Sequence, residues 1–124
     1  MIRNFLLIGF GGALGSMLRY GTGLFIGVKP FPLATFLINI TGCFIIGMVM
    51  AYGLKSEVFT NNWKLFLATG ICGGFTTFSA FSLENLQLFQ NGKFGMFAIY
   101  ITASVLLGIA AVWMGFKLIS ITTD

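Results

Sequence analysis

GICGGFTTFSAFSLEN, residues 70–85, sits inside a run that is otherwise apolar from Trp63 to Phe89. The midpoint of that run is Thr76, where a membrane helix would lie deepest. A helix that only crosses lipid has no use for a glycine pair, the hydroxyls of Thr76, Thr77, Ser79 and Ser82, or Glu84. Gly73-Gly74 followed by two β-branched threonines is a poor helix interior, because glycine costs backbone entropy and threonine loses side-chain freedom. Non-helical backbone at membrane depth is tolerated only where it is buried in protein or lines a cavity. The stretch therefore predicts a break near 73–78, with freed carbonyls that offer a cation site. The alternative is a continuous, kinked helix.

Composition says what surrounds the break. Of 124 residues, 57% are hydrophobic and 8% charged, too few charges to clothe a soluble domain of this size. A span needs ~20 mostly apolar residues to cross ~30 Å of hydrocarbon. Four stretches qualify, at about 4–27, 33–54, 63–90 and 94–119, the last followed by a short frayed tail. They use nearly the whole length, so residues 1–124 read as a single all-α integral membrane domain of four transmembrane helices. The start, MIRNFLLIGFGGALGS, has the basic and apolar regions of a signal peptide. Its apolar pattern runs on through Arg19 to Val28, which reads as a retained first helix.

The same composition excludes much chemistry. There is no histidine, and the two cysteines, Cys43 and Cys72, fall in different spans. Zinc or haem has little to bind, and neither a Ser-His nor a Cys-His pair exists to make a nucleophile. An enzyme is not expected, nor is a nucleic-acid partner. A disulfide framework is absent.

Charge placement bears on orientation. With four spans, Arg3, Lys55, Lys64 and Lys117 fall on one side, and Lys29 and Lys93 on the other, with Arg19 part-way along the first helix. Lysine and arginine asymmetry sets orientation. So shallow a bias fits one-way insertion and insertion both ways up equally well, and the second would permit an antiparallel pair. The first helix carries small-xxx-small spacings, Gly11 to Gly15, Gly12 to Ser16 and Gly23 to Gly27, that let helices approach closely. Pro30 and Pro32 end one helix and open the next. Trp63 and Trp113 suit interfacial anchors.

Several polar side chains lie where lipid would not tolerate them. Arg19 either snorkels to water or faces a wet vestibule that draws anions. Thr35 and Asn39 share a face of the second helix; Asn39 serves equally as interhelical glue or as a pore-lining donor. Glu84, the acid within a span, reads first as half of an ion pair and second as a proton-coupling carboxylate. Tyr100, Ser104 and Gly108 share a face of the last helix, where the hydroxyls can bond carbonyls one turn back. After the break, Phe78 and Phe81 form one stripe and Ser79 and Ser82 the next. Phenyl rings with their positive edges turned inward can hold an anion without a charge that would trap it.

These motifs together resemble the bacterial Fluc (CrcB-type) fluoride channel family from end to end. The matching stretches are GGALGSMLRY at 11–20, PLATFLINITGCFIIG at 32–47, GICGGFTTFSAFSLE at 70–84, and Tyr100-xxx-Ser104. The resemblance implies a fluoride-selective channel in the bacterial inner membrane, built as a multi-pass, dual-topology, antiparallel homodimer with two pores. It implies a structural sodium ion at the dimer centre, held by the carbonyls of Gly73 and Thr76 from each subunit. The fluoride path then runs by Phe78, Phe81, Asn39, Ser79, Ser82, Thr35, Tyr100 and Ser104, with Arg19 and Glu84 at its vestibules. Ala80 stands where the family often has threonine, and Gly108 where some relatives continue the hydroxyl track. The rival reading is a small proton-coupled exporter that relies on Glu84.

Overall fold

The computed structural model describes residues 1–122. Helix α1 runs Ile2–Ile26, and Gly27 ends it with φ 74°, a left-handed conformation that glycine adopts without strain. After the proline turn, α2 runs Leu33–Lys55. The third stretch is composite: Asn61–Lys64, a π-helical segment Leu65–Cys72, and Gly73–Phe75, together called α3 (61–75). Thr76 (φ −75°, ψ 156°) and Thr77 (φ −149°, ψ 118°) are extended, so the helix is interrupted inside the window where glycine and threonine content put a break. Helix α4, Phe78–Gln90, restarts at once, and the Thr77 hydroxyl caps it by accepting from the Ala80 N–H at 3.2 Å. A tight turn through Gly92 (φ 71°) leads to α5, Phe94–Thr122. That helix takes up most of the expected C-terminal tail, whose positions 123–124 lie outside the described residues.

No strand occurs among the described residues. Among the described residues, three stretches are long and apolar enough to cross a membrane: Leu33–Lys55, Asn61–Gln90 and Phe94–Thr122. At ~1.5 Å per residue α1 also has the length of a span, but glycines, Asn4 and two arginines dilute its apolar content, and it is not among the three. The π-helical segment before the break is a feature that apolar periodicity did not signal.

Two close helix pairs carry the packing, α1 against α3 and α2 against α5. In both, glycine lets backbone touch backbone. A Cβ on Gly11 would strike Phe66 O, one on Gly15 would strike Ile71 O, and one on Gly74 would strike Gly12 O. Across the second pair, Gly47 faces Val112 O and Gly115 faces Phe44 O with the same lack of room. In lipid there is no hydrophobic drive between helices, so such close approach is how packing gains dispersion energy. The Gly23 to Gly27 spacing has no such partner, since nothing lies near either residue. Apolar side chains such as Phe10, Phe25, Leu106 and Trp113 point outward, and among the described residues Tyr100 is the one large side chain wholly enclosed. That arrangement suits lipid as the solvent.

Gly15→Ala and Gly115→Ala should each destabilise the fold by about 1–3 kcal/mol through overpacking against backbone. Gly9→Ala, with open space around it, should be neutral or stabilise by about 0.5–1 kcal/mol, since alanine is the better helix former. Denaturant or thermal unfolding in detergent measures both; equal effects at Gly9 and Gly15 would mean these contacts do not govern packing.

Candidate functional site

The interruption leaves main-chain groups that need partners, and α2 supplies them. Asn39 Nδ2 donates to Thr77 O at 3.1 Å, while the Thr77 N–H donates to Asn39 Oδ1 at 2.8 Å. The side-chain amide thus pairs with the extended backbone as a neighbouring strand would. In an unbroken helix that N–H would aim at Gly73 O; here it turns to Asn39. One residue earlier, Thr76 donates to Cys72 O twice, from its N–H at 3.0 Å and its hydroxyl at 2.8 Å. Of the two roles that sequence left open for Asn39, the glue is therefore visible. An amide carries two N–H groups, so one donor remains beside the cleft that Asn39 lines.

That cleft has a volume of ≈ 390 Å³. One wall is the α2 face of Asn39, Gly42, Cys43 and Ile46; another is the break itself, with Cys72, Gly73, Thr76 and Thr77. Ala68 from α3, Phe78 and Phe81 from α4, and Ser104 and Val105 from α5 complete it, and among the described residues no charged one lines it. Ser104 Oγ is buried and has no hydrogen-bond partner, whereas local bonding to a carbonyl one turn back was the simpler expectation. A buried unpaired hydroxyl is costly unless something it can bond arrives. The Phe78 and Phe81 rings lie 5.7 Å apart at 39°, and Phe81 meets Tyr100 edge-on at 5.0 Å.

A second cluster sits past Phe81. Thr35 Oγ1 donates to Glu84 Oε1 at 2.6 Å, and Tyr100 OH donates to Glu84 Oε2 at 2.6 Å. Glu84 is thus held by two neutral hydroxyls from α2 and α5 rather than by a cation, which corrects the ion-pair expectation. Two short hydrogen bonds to a carboxylate satisfy it without a counter-charge. Glu84 also borders a second cleft of ≈ 340 Å³, along with Lys29, Gln87, Asn91 and Lys93. Phe31 lines that cleft too and touches Tyr100 edge-on at 5.3 Å. A chain of rings, Phe78, Phe81, Tyr100 and Phe31, therefore connects the two clefts.

Of the residues singled out from sequence, Asn39, Gly73, Thr76, Phe78, Phe81 and Ser104 meet on the first cleft, and Thr35, Glu84 and Tyr100 form the cluster beyond it. Ser79 lines neither cleft and shares a hydrogen bond with the Thr77 hydroxyl at 3.2 Å. Ser82 is exposed, and half-buried Arg19 likewise borders neither cleft. Thr77 lines the cleft and caps α4, whereas sequence reasoning treated it only as a helix breaker. Its signal was the position before Phe78, where a hydroxyl caps a restarting helix. Cys43 could have been placed on the cleft from its spacing, one helical turn after Asn39.

Comparison with known proteins fits this geometry into a family. Residues 6–116 match the family model described as CrcB-like protein, Camphor Resistance (CrcB). A protein of Azobacteroides pseudotrichonymphae named fluoride-specific ion channel FluC is 44% identical over 121 residues, covering 95% of this chain and 97% of its own length. The protein of that name from Flavobacterium psychrophilum is 46% identical over 117 residues, covering 92% and 94%. Fluoride-specific ion channel FluC 1 of Listeria innocua is 43% identical over 121 residues, covering 95% and 98%. The chain belongs to the CrcB family.

Whatever passes the cleft, Asn39 should be structural. Asn39→Ala leaves a donor and an acceptor of Thr77 unpaired and should cost about 2 kcal/mol or more. Thr41→Val on an exposed position of the same helix should stay within about 0.5 kcal/mol. Unfolding in detergent compares them, and an undisturbed Asn39→Ala protein would show that the amide pairing is dispensable.

Proposed function

We propose that this CrcB family member is a fluoride-selective channel that lets the anion leave the cell passively across the bacterial inner membrane. The observation that carries this reading is the uncharged first cleft, with an unpartnered Ser104 hydroxyl and a spare Asn39 N–H beside the Phe78 and Phe81 rings. Fluoride is small and tightly hydrated, so a pore must replace its water with donors. A hydroxyl, an amide N–H and positive ring edges do this weakly and severally. Conduction needs binding strong enough to enter and weak enough to leave, and a fixed cation in the cleft would violate the second condition. An inside-negative potential drives the anion outward, worth ~2.3 kcal/mol per charge per 100 mV.

The assembly in this reading is a dual-topology, antiparallel homodimer of four-span subunits with two pores. Its support is the shallow charge bias and the outward apolar side chains. At the dimer centre the carbonyls of Gly73 and Thr76 would hold a sodium ion. The residues fit such an ion: Gly73 is exposed, its carbonyl is released when the Thr77 N–H turns to Asn39, and no cluster of three His, Cys, Asp or Glu occurs among the described residues. Oxygen donors of this kind suit a hard cation. Sodium bound there would supply a positive charge that the carbonyl oxygens solvate.

Glu84 favours one rival, a proton-coupled exporter, because it is an acid inside a span. Both its oxygens are engaged by Thr35 and Tyr100, so alternation between proton and substrate would have to break two hydrogen bonds each cycle.

Proteoliposomes loaded with fluoride and read with a fluoride electrode should show rapid efflux when a potassium ionophore relieves the charge, and no comparable chloride efflux. Phe78→Ile and Phe81→Ile should each lower that efflux at least about tenfold, or ~1.4 kcal/mol of barrier, with the dimer intact on size exclusion. A proton gradient should not drive fluoride uphill in wild type, and Glu84→Gln should leave the pH response of efflux unaltered; uphill transport that Glu84→Gln abolishes would establish the exporter. Exchanging sodium for a large organic cation should dissociate or destabilise the dimer, measured by thermal unfolding.

A further inference from the structure

The first cleft holds two groups that fluoride passage does not use. Cys43 projects from α2 one turn beyond Asn39, and Cys72 ends the π-helical segment just before the break. Both are free thiols, both line the same cleft, and they come from different helices. No carboxylate or amine competes with them on that wall. On the α5 side Gly108 leaves Cys43 Sγ at ordinary packing distance: a Cβ there would sit 3.6 Å from the sulfur.

We propose that Cys43 and Cys72 form a two-thiolate site for a soft divalent cation of linear coordination preference, and that its occupation plugs the cleft. The chemistry selects the ion class. Thiolate sulfur is a soft ligand and discriminates against magnesium, calcium and sodium. Two ligands with no third nearby match a metal content with two-coordinate geometry, for which Hg²⁺ is the probe. Binding breaks two S–H bonds, forms two S–Hg bonds and releases two protons to water, with no change of oxidation state. The product is electrically neutral: two thiolates cancel the divalent charge. A neutral complex is what an uncharged site inside a membrane protein can hold, since an uncompensated charge there is expensive. A metal bound there would lie in the cleft that Asn39, Phe78 and Phe81 also line, and so would obstruct it.

The consequence for flux rests on the channel reading above; metal binding does not. Purified protein titrated with Hg²⁺ should develop thiolate-to-metal charge-transfer absorbance that saturates at one metal per chain. Cys43→Ala and Cys72→Ser should each lose that signature and weaken retention of the metal at least tenfold against a competing small thiol. In proteoliposomes, one equivalent should cut fluoride efflux at least tenfold, reversibly on addition of dithiothreitol. Each variant, scored against its own untreated efflux, should resist the block. Saturation at two metals per chain, or a signature surviving either substitution, overturns the site. Saturation at one metal without loss of efflux leaves the site standing and removes the cleft from the fluoride path. Wild-type protein that binds one metal yet never conducts fluoride refutes the channel and not the metal site.

Discussion

In hydrocarbon every backbone polar group must find a partner within the protein, and the two hydrogen bonds between Asn39 and Thr77 meet that requirement where it is hardest to meet. Helical bonding stops at Thr76 and Thr77, whose extended backbone would otherwise leave an N–H and a carbonyl unpaired at mid-span. One side-chain amide answers both groups, because asparagine offers a donor and an acceptor side by side. With Thr77 secured, its hydroxyl is free to cap α4, and the rings of Phe78 and Phe81 are aimed by the first turn of that helix. The break, the cap and the aromatic wall are thus one arrangement anchored on α2. Remove the anchor and the restart of the helix loses its fixed direction.

Close glycine contacts hold the two halves of this arrangement in place. Gly11, Gly15, Gly70 and Gly74 bring α1 and α3 to backbone distance, and Gly47 with Gly115 does the same for α2 and α5. Because backbone cannot rotate away as a side chain can, these contacts fix helix positions along and around their axes. The cleft lies where the two pairs meet, between the α2 face and the break. A cavity in a thinly packed protein needs such stiff walls. Its outer surface is apolar and gives no hydrophobic drive toward collapse within lipid.

Much of this was legible in residues 70–85, because glycine and threonine violate helix propensity where a span should obey it. The break followed from those residues, as did the Phe78 and Phe81 wall. Asn39 was placed on the right helix face, but its partner could not be named, since nothing local to residue 39 says which carbonyl lies 38 positions away. Glu84 was misjudged for a similar reason. Sequence offers cations as the obvious partners of an acid, whereas the fold brings Thr35 and Tyr100 from two other helices. The serine stripe is a different case: Ser79 and Ser82 keep helical spacing, yet neither lines the cleft of the single chain. Periodicity gives which residues share a face, not what the face meets. The π-helical Leu65–Cys72 segment escaped notice because a π turn has no composition of its own.

In the proposed channel, the separation of the two polar regions lets one chain keep an acid apart from an uncharged cleft. Glu84 lies beyond Phe81, held by hydroxyls and bordering the cleft that Lys29 and Lys93 also line. Between it and the first cleft stand the Phe81 and Tyr100 rings, in edge-to-face contact at 5.0 Å. A carboxylate placed within the first cleft would repel any anion there with little solvent to screen it. An arginine would hold the anion fast. Neutral donors avoid both outcomes, and their individual weakness is offset by number and by the fixed walls that keep them from rearranging. The Thr35 and Tyr100 hydroxyls do the complementary task, satisfying Glu84 so fully that it has no need of a cation drawn in from the lysines. Polarity without net charge in one cleft, and charge spent on hydroxyls beside the other, is the division of labour that a passive route for a small anion requires.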